Sequence, residues 1–138
     1  MTPSTTQTRA TATFETEGWQ EDPLVQLAGD SKLTRARTAS IYAGDLDGRS
    51  VVEYLLYYTN AQTCTYIGIE QFSGELGGRS GSFALQHDGL FADGTATSRW
   101  TVVPDSGDGE LRGLRGSGGF AGQHGAKTTT ATLDYDFA

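Results

Sequence analysis

The chain has 138 residues, 36% of them hydrophobic and 20% charged, and a formal net charge of −7. That is the length of one domain, large enough to bury a core without disulfide staples, and the single cysteine, Cys64, allows no intrachain disulfide. The ten basic residues are scattered, so the charge opposes binding to nucleic acid or anionic lipid, and no run is apolar enough for a membrane helix.

Residues 1–8 are polar and are expected to be disordered, with a single domain over 9–138. The N-terminus MTPSTTQTRA lacks the apolar stretch of a secretory signal. With the lone cysteine, this sets the expected location as the cytoplasm. Arginine outnumbers lysine eight to two, a bias that points to a GC-rich bacterial source.

Period-2 alternation recurs along the chain and helical periodicity does not. RATATFETEGW, residues 9–19, reads as a first strand. A loop follows over 20–32, broken by Pro23 and Gly29, and then a second strand over 33–43 and a turn at 44–48. SVVEYLLYYT, 50–59, is rich in β-formers, and a short turn leads to TCTYIGIEQF, 63–72. RSGSFALQHDGLFA, 79–92, and TATSRWTVVP, 95–104, flank Asp93-Gly94, a dipeptide suited to a type I′ hairpin. KTTTATLDYDF, 127–137, closes the chain. Consecutive antiparallel hairpins with no helix to cover them close into a barrel or a sandwich. The fold expected is an all-β, closed antiparallel barrel of about eight strands, with at most one or two short helical turns.

Residues 105–125, DSGDGELRGLRGSGGFAGQHG, hold eight glycines in twenty-one positions. A phosphate-binding loop would end in lysine followed by Ser or Thr and open a helix, and neither occurs here. The favoured reading is architectural: Leu111 and Leu114 plug one end of the barrel, and the glycines let the next strand leave at a sharp angle.

Several strand faces are plain. Leu133, Tyr135 and Phe137 point inward, and the bulk of Trp100 favours the face it shares with Ser98 and Val102; Phe83, Leu85 and His87 share one face, which would let His87 project into the core. The strand 50–59 is apolar on both faces. In the next strand, hydrophobicity alone puts Ile67 and Ile69 inside and Glu70 outside. The opposite register would bury Tyr66 and Glu70 together. The simplest reading of Glu53 and Glu70 is that each faces outward, or is tied to an arginine such as Arg99 or Arg79.

His87 and His124 lie thirty-seven residues apart, and no metal-ligand spacing is present, so no metal site is expected. No GxSxG elbow exists, and Cys64, in a β-rich strand, is expected to be a packed, inert thiol. General acid–base chemistry survives best. His87 and Glu70 are the candidate proton-transfer groups, with Tyr54, Tyr66, Phe83, Trp100 and Tyr135 as candidate lining of a small apolar pocket.

The blocks GELGGRSGSFALQHDGLF, SGDGELRGLRGSGGF and TLDYDF, together with EYLLYYTNAQTCTYIGIEQF, resemble a bacterial family of small proteins known as domain of unknown function 3224. The likeness runs from about residue 9 to the C-terminus. It implies a barrel similar to plant allene oxide cyclase, lipocalin-like in form, and it carries no assigned activity. Some related barrels are cofactor-free cyclases or isomerases. By that analogy the chain is expected to bind a small apolar molecule without a cofactor and to act as an isomerase or cyclase. The alternative is a non-catalytic carrier of a hydrophobic ligand. The sequence leaves a homodimer open.

Overall fold

The computed structural model describes residues 7–138. The expected disordered stretch, residues 1–8, lies almost wholly outside them, and Thr8 is already paired with Tyr135. Nine antiparallel strands run in chain order: β1 Thr8–Gln26, β2 Lys32–Gly44, β3 Leu46–Asn60, β4 Thr63–Leu76, β5 Arg79–Ala92, β6 Thr95–Val102, β7 Asp108–Gly109, β8 Leu114–Gln123 and β9 Thr129–Phe137. Their order in the sheet is β4-β3-β2-β1-β9-β8-β6-β5-β7, and an added pairing of β4 with β5 closes eight strands into a ring. Closure removes the sheet edges that would otherwise template aggregation. No helix among the described residues is long and apolar enough to cross a membrane.

The β5–β6 hairpin turns at Asp93 (φ 54°) and Gly94 (φ 75°), the left-handed pair of a type I′ turn. Two segments differ from the expected layout. The loop expected over 20–32 is mostly strand, because β1 continues to Gln26, with bulges between Glu17 and Gln20 and between Pro23 and Val25. Pro23 is tolerated there because β9 pairs with β1 only over Thr8–Phe14, which leaves the outer half of β1 free on that side. The second difference is β8, a strand inside the glycine-rich run.

That run does three structural things. Leu111 and Leu114 are buried at one end of the ring, on tight turns in which Leu111 N–H donates to Asp108 O and Leu114 N–H to Leu111 O. The part of β5 that β6 does not reach is covered instead: Val103 N–H donates to Ala84 O (2.9 Å), Ala84 N–H to Ser106 Oγ (3.0 Å) and Glu110 N–H to Ser80 O (2.9 Å). Finally, at Gly118 a Cβ would stand 2.0 Å from Thr132 O, so only glycine lets β8 lie this close to β9.

The interior falls into two apolar clusters. The larger holds Leu46, Phe72, Leu76, Phe83, Leu85, Leu111, Leu114, Leu133 and Tyr135 among others, and seals the end where β4 meets β5 in a tight turn. The smaller, towards the opposite end, comprises Ala36, Leu56, Cys64 and Tyr66, with Tyr54, Tyr58 and Phe91 only partly buried against it. We call this second end the mouth. Between the clusters runs a belt of buried polar side chains: Thr38, Ser40, Ser50, Glu70, His87 and Ser98.

Hydrophobicity misleads at β4. Glu70 is 1% exposed, whereas Ile67 and Ile69 stand 53% and 48% exposed on the outer face. The outward orientation offered as the simplest for Glu70 is therefore wrong. It holds for Glu53, although that carboxylate meets Arg35 (3.1 Å) and Arg37 (3.9 Å) rather than Arg99 or Arg79. The register explains the reversal. Glu70 pairs with Val52 and Leu85, both fully inside, and partners across a ladder share a face.

Candidate functional site

Alternation along β4 and β5 aims Glu70 and His87 into the belt, two strands that the ring closure makes neighbours. His87 Nε2 lies 2.7 Å from Glu70 Oε1. Tyr42 donates its hydroxyl to Glu70 Oε2 at 2.6 Å, and Ser50 donates to the same oxygen at 2.5 Å. Three donors thus converge on one buried carboxylate, the satisfaction a charge away from water requires. With Nε2–H given to Glu70, the other ring nitrogen, Nδ1, accepts from Ser98 Oγ at 3.2 Å. Ser98 in turn accepts from the Tyr66 hydroxyl at 2.5 Å.

The donors then all point one way, from Tyr66 through Ser98 and His87 to Glu70. Such a chain is cooperative, each bond polarising the next. It also runs along the barrel axis, from the cluster under the mouth down to the belt.

Rings enclose the imidazole. Tyr54 stands edge-on to it at 5.2 Å between centroids, Trp100 at 5.9 Å and Phe120 at 6.2 Å. Room for Tyr66 is made by Gly89 on the next strand, where a Cβ would fall 2.1 Å from the phenol ring. Burial first, and then the charge of Glu70, push the Tyr42 and Tyr54 phenols well above the ordinary tyrosine range, so both remain donors. Tyr66 is raised as well, chiefly by burial. Burial and the nearby Glu21 carboxylate push the Cys64 thiol up to about 11, which keeps it protonated and unreactive, as its packed position implies.

At the mouth, Gly18 (φ 69°) sits in the first β1 bulge, a backbone setting that glycine adopts without strain. The extra residue reverses the alternation of β1, so that Glu21 pairs with the fully buried Ala36 and faces inward. Its carboxylate accepts from Thr34 Oγ1 (2.7 Å), Tyr58 OH (2.8 Å) and Trp19 Nε1 (3.1 Å). The Trp19 ring lies 6.0 Å from that of Tyr54. The outer half of β1 therefore leans across the mouth. Among the described residues, two of the surface concavities stand out, and neither is lined by Glu70 or His87. One, of about 210 Å³, is lined by Gln26, Asp30, Lys32, Tyr58 and Ala61. The other, of about 520 Å³ and lined by residues such as Ser73, Ser82 and Asp108, lies towards the sealed end.

Of the residues picked out from sequence, Glu70, His87, Tyr54, Tyr66 and Trp100 come together around the belt. Phe83 and Tyr135 lie in the sealed cluster instead, Phe83 against Phe72 at 5.2 Å and Tyr135 against Phe137 at 6.0 Å. Tyr42, Ser50, Ser98 and the Trp19–Glu21 pair complete the arrangement without having been singled out. Their only sequence signal is parity within a strand, and for Trp19 and Glu21 the bulge inverts it. Among the described residues no three His, Cys, Asp or Glu side chains group so as to hold a metal ion.

These features define an all-β ring of eight strands with a buried acid–imidazole pair at its belt. Residues 10–135 match a family described as a protein of unknown function, DUF3224, and the chain belongs to that family. It is similar to a crystal structure of a DUF3224 protein of unknown function from Shewanella oneidensis MR-1. The two are 31% identical, with a TM-score of 0.81, over 96% of this chain and 98% of the other. No curated protein matches the chain.

Proposed function

We propose that this protein binds a small apolar molecule inside the mouth half of the barrel and moves a proton on it, as a cofactor-independent isomerase or cyclase working in the cytoplasm. One observation carries the reading: the continuous hydrogen-bonded chain Tyr66–Ser98–His87–Glu70, buried end to end. A carboxylate that orients an imidazole and stabilises its protonated form is the usual way to make a neutral histidine an effective base. The Ser98 contact, at 3.2 Å, is the longest in the chain, so Nδ1 is the position a substrate C–H or O–H would take over. The resemblance to allene oxide cyclase-like barrels supports the same reading by analogy of fold alone.

The test is native mass spectrometry of the protein purified from its own cells, followed by incubation in D2O. A retained ligand that gains solvent deuterium in the wild type, but not in His87→Gln or Glu70→Gln, supports proton transfer. A ligand released unlabelled from all three favours a carrier. That second reading rests on a specific observation, that every polar atom of Glu70 and His87 already has a partner.

A further inference from the structure

Among the described residues one buried side-chain polar atom lacks a hydrogen-bond partner: the indole Nε1 of Trp100. Trp100 is 1% exposed. Its register partner on β5 is His87, which places it on the inner face beside the acid–imidazole pair, with Tyr42 at 6.3 Å and Phe120 at 6.0 Å between ring centroids. Buried polar atoms are nearly always paired, so an isolated exception calls for a reason. The contrast with Trp19 is direct: that indole is half exposed and still donates to Glu21 at 3.1 Å.

An indole N–H can only donate. What Trp100 lacks is an acceptor: the Glu70 oxygens in the belt are taken up by Tyr42, Ser50 and His87, and the Ser98 hydroxyl by Tyr66 and His87. We infer that the Trp100 indole N–H is a ligand-binding donor that receives a carbonyl oxygen, making the substrate class of this barrel a small apolar ketone or aldehyde.

This inference rests on the small-molecule reading above and gives it a chemistry. With its oxygen on Trp100, a carbonyl compound would bring its α-carbon towards His87. The α C–H bond breaks and its proton goes to Nδ1. The electron pair forms a C=C bond, and the carbonyl π pair moves to oxygen, where Trp100 holds the enolate. Glu70 stabilises the imidazolium. Return of the proton to a different carbon restores the carbonyl, and the net change is an isomerisation with no oxidant or reductant. A donor fixed before charge develops needs no reorganisation during the step.

The test uses 15N-labelled full-length protein and a matched pair of probes, cyclohexanone and cyclohexane. The two tryptophans give two indole N–H resonances, and Trp19→Phe assigns them. The expected result is a downfield shift of the Trp100 resonance with the ketone alone, and ketone binding about tenfold tighter than hydrocarbon binding, the effect of one net hydrogen bond. Trp100→Phe should erase that preference while still admitting the hydrocarbon. The resonance shift requires no change at Trp100, so it decides the matter even if that variant folds poorly. Equal binding of both probes with the indole unmoved overturns the role of Trp100 and leaves the small-molecule reading standing. A magnetisation-transfer signal to a buried water that persists with ketone present also overturns it. If neither probe enters, the small-molecule reading falls and takes this inference with it.

Discussion

The two ends of the barrel are built from the same eight strands, yet they differ in what those strands bury. At the sealed end the interior is leucine and phenylalanine, closed by Leu111 and Leu114. At the mouth it is tyrosine, with Tyr54, Tyr58 and Phe91 only partly covered and Glu21 reaching in from a bulged strand. Apolar burial stabilises without direction, whereas each buried polar group must find its partner and so fixes geometry. The difference teaches that apolar packing and buried polar order are divided along the axis: one end holds the ring shut so that the other can carry groups that are costly to bury.

The largest effect should come from weakening the sealed end. Phe83 is fully buried against Phe72, and Phe83→Ala should cost about 3–5 kcal/mol of unfolding free energy in urea titrations. The effect on any ligand bound near the mouth should follow only the loss of folded protein. Next comes the belt. His87→Phe keeps the ring but removes one donor from buried Glu70, leaving Tyr42 and Ser50. The expected loss is about 3 kcal/mol, the low end for breaking a buried pair. Replacing both, Glu70→Leu with His87→Phe, should restore most of that stability while abolishing deuterium transfer. If the double variant is no more stable than His87→Phe, the pair is holding the barrel together and the division between the ends fails.

Much of this division could be read from the sequence, and the reasons for what could not are specific. Strands with one polar face, such as the one carrying Leu133, Tyr135 and Phe137, declare their inner side by alternation. β4 does not, because closing the ring sets its register through neighbours on both sides, and that register put Glu70 inside at the expense of two isoleucines. β8 was hidden by its glycines, which are poor strand formers in general and are required here by the approach of β9. The mouth was hidden by a single inserted residue at the β1 bulge, which no periodicity reports. His87 and Glu70 could be picked out as candidate proton-transfer groups. Their contact could not, since seventeen residues and a hairpin separate them.

A smaller effect is expected from the mouth itself. Burial alone would raise the Glu21 carboxyl, but the hydrogen bonds from Thr34, Tyr58 and Trp19 outweigh it, and the net shift is downward. A carboxyl lowered on folding contributes stability that is present in full above its unfolded titration range, near pH ~4.3, and is lost as pH falls through the folded value. Because the group is largely solvated, that contribution should be about 1 kcal/mol or less. Glu21→Gln should therefore lower stability slightly at neutral pH, by that amount, leave it little changed at acid pH, and so flatten the acid limb of a stability–pH curve. Thermal melts at a series of pH values would show it. An acid limb unaffected by the substitution would mean that β1 is not latched over the mouth through this carboxylate.

The smallest effect should come from the residue that looks most like core. Ile69 lies next to Glu70 in sequence and belongs to the opposite face, about half exposed beside Ile67. Ile69→Thr keeps β-branching and removes apolar surface that is already in contact with water, so it should change stability by only about 0.5 kcal/mol. Glu70 and Ile69 then make a paired measurement one residue apart on a strand of fixed register. If Ile69→Thr were instead as damaging as Phe83→Ala, the isoleucines would have to be inside and Glu70 outside. The belt, its donor chain and the proton chemistry assigned to it would then all be turned to the outside of the barrel by that single residue's slip.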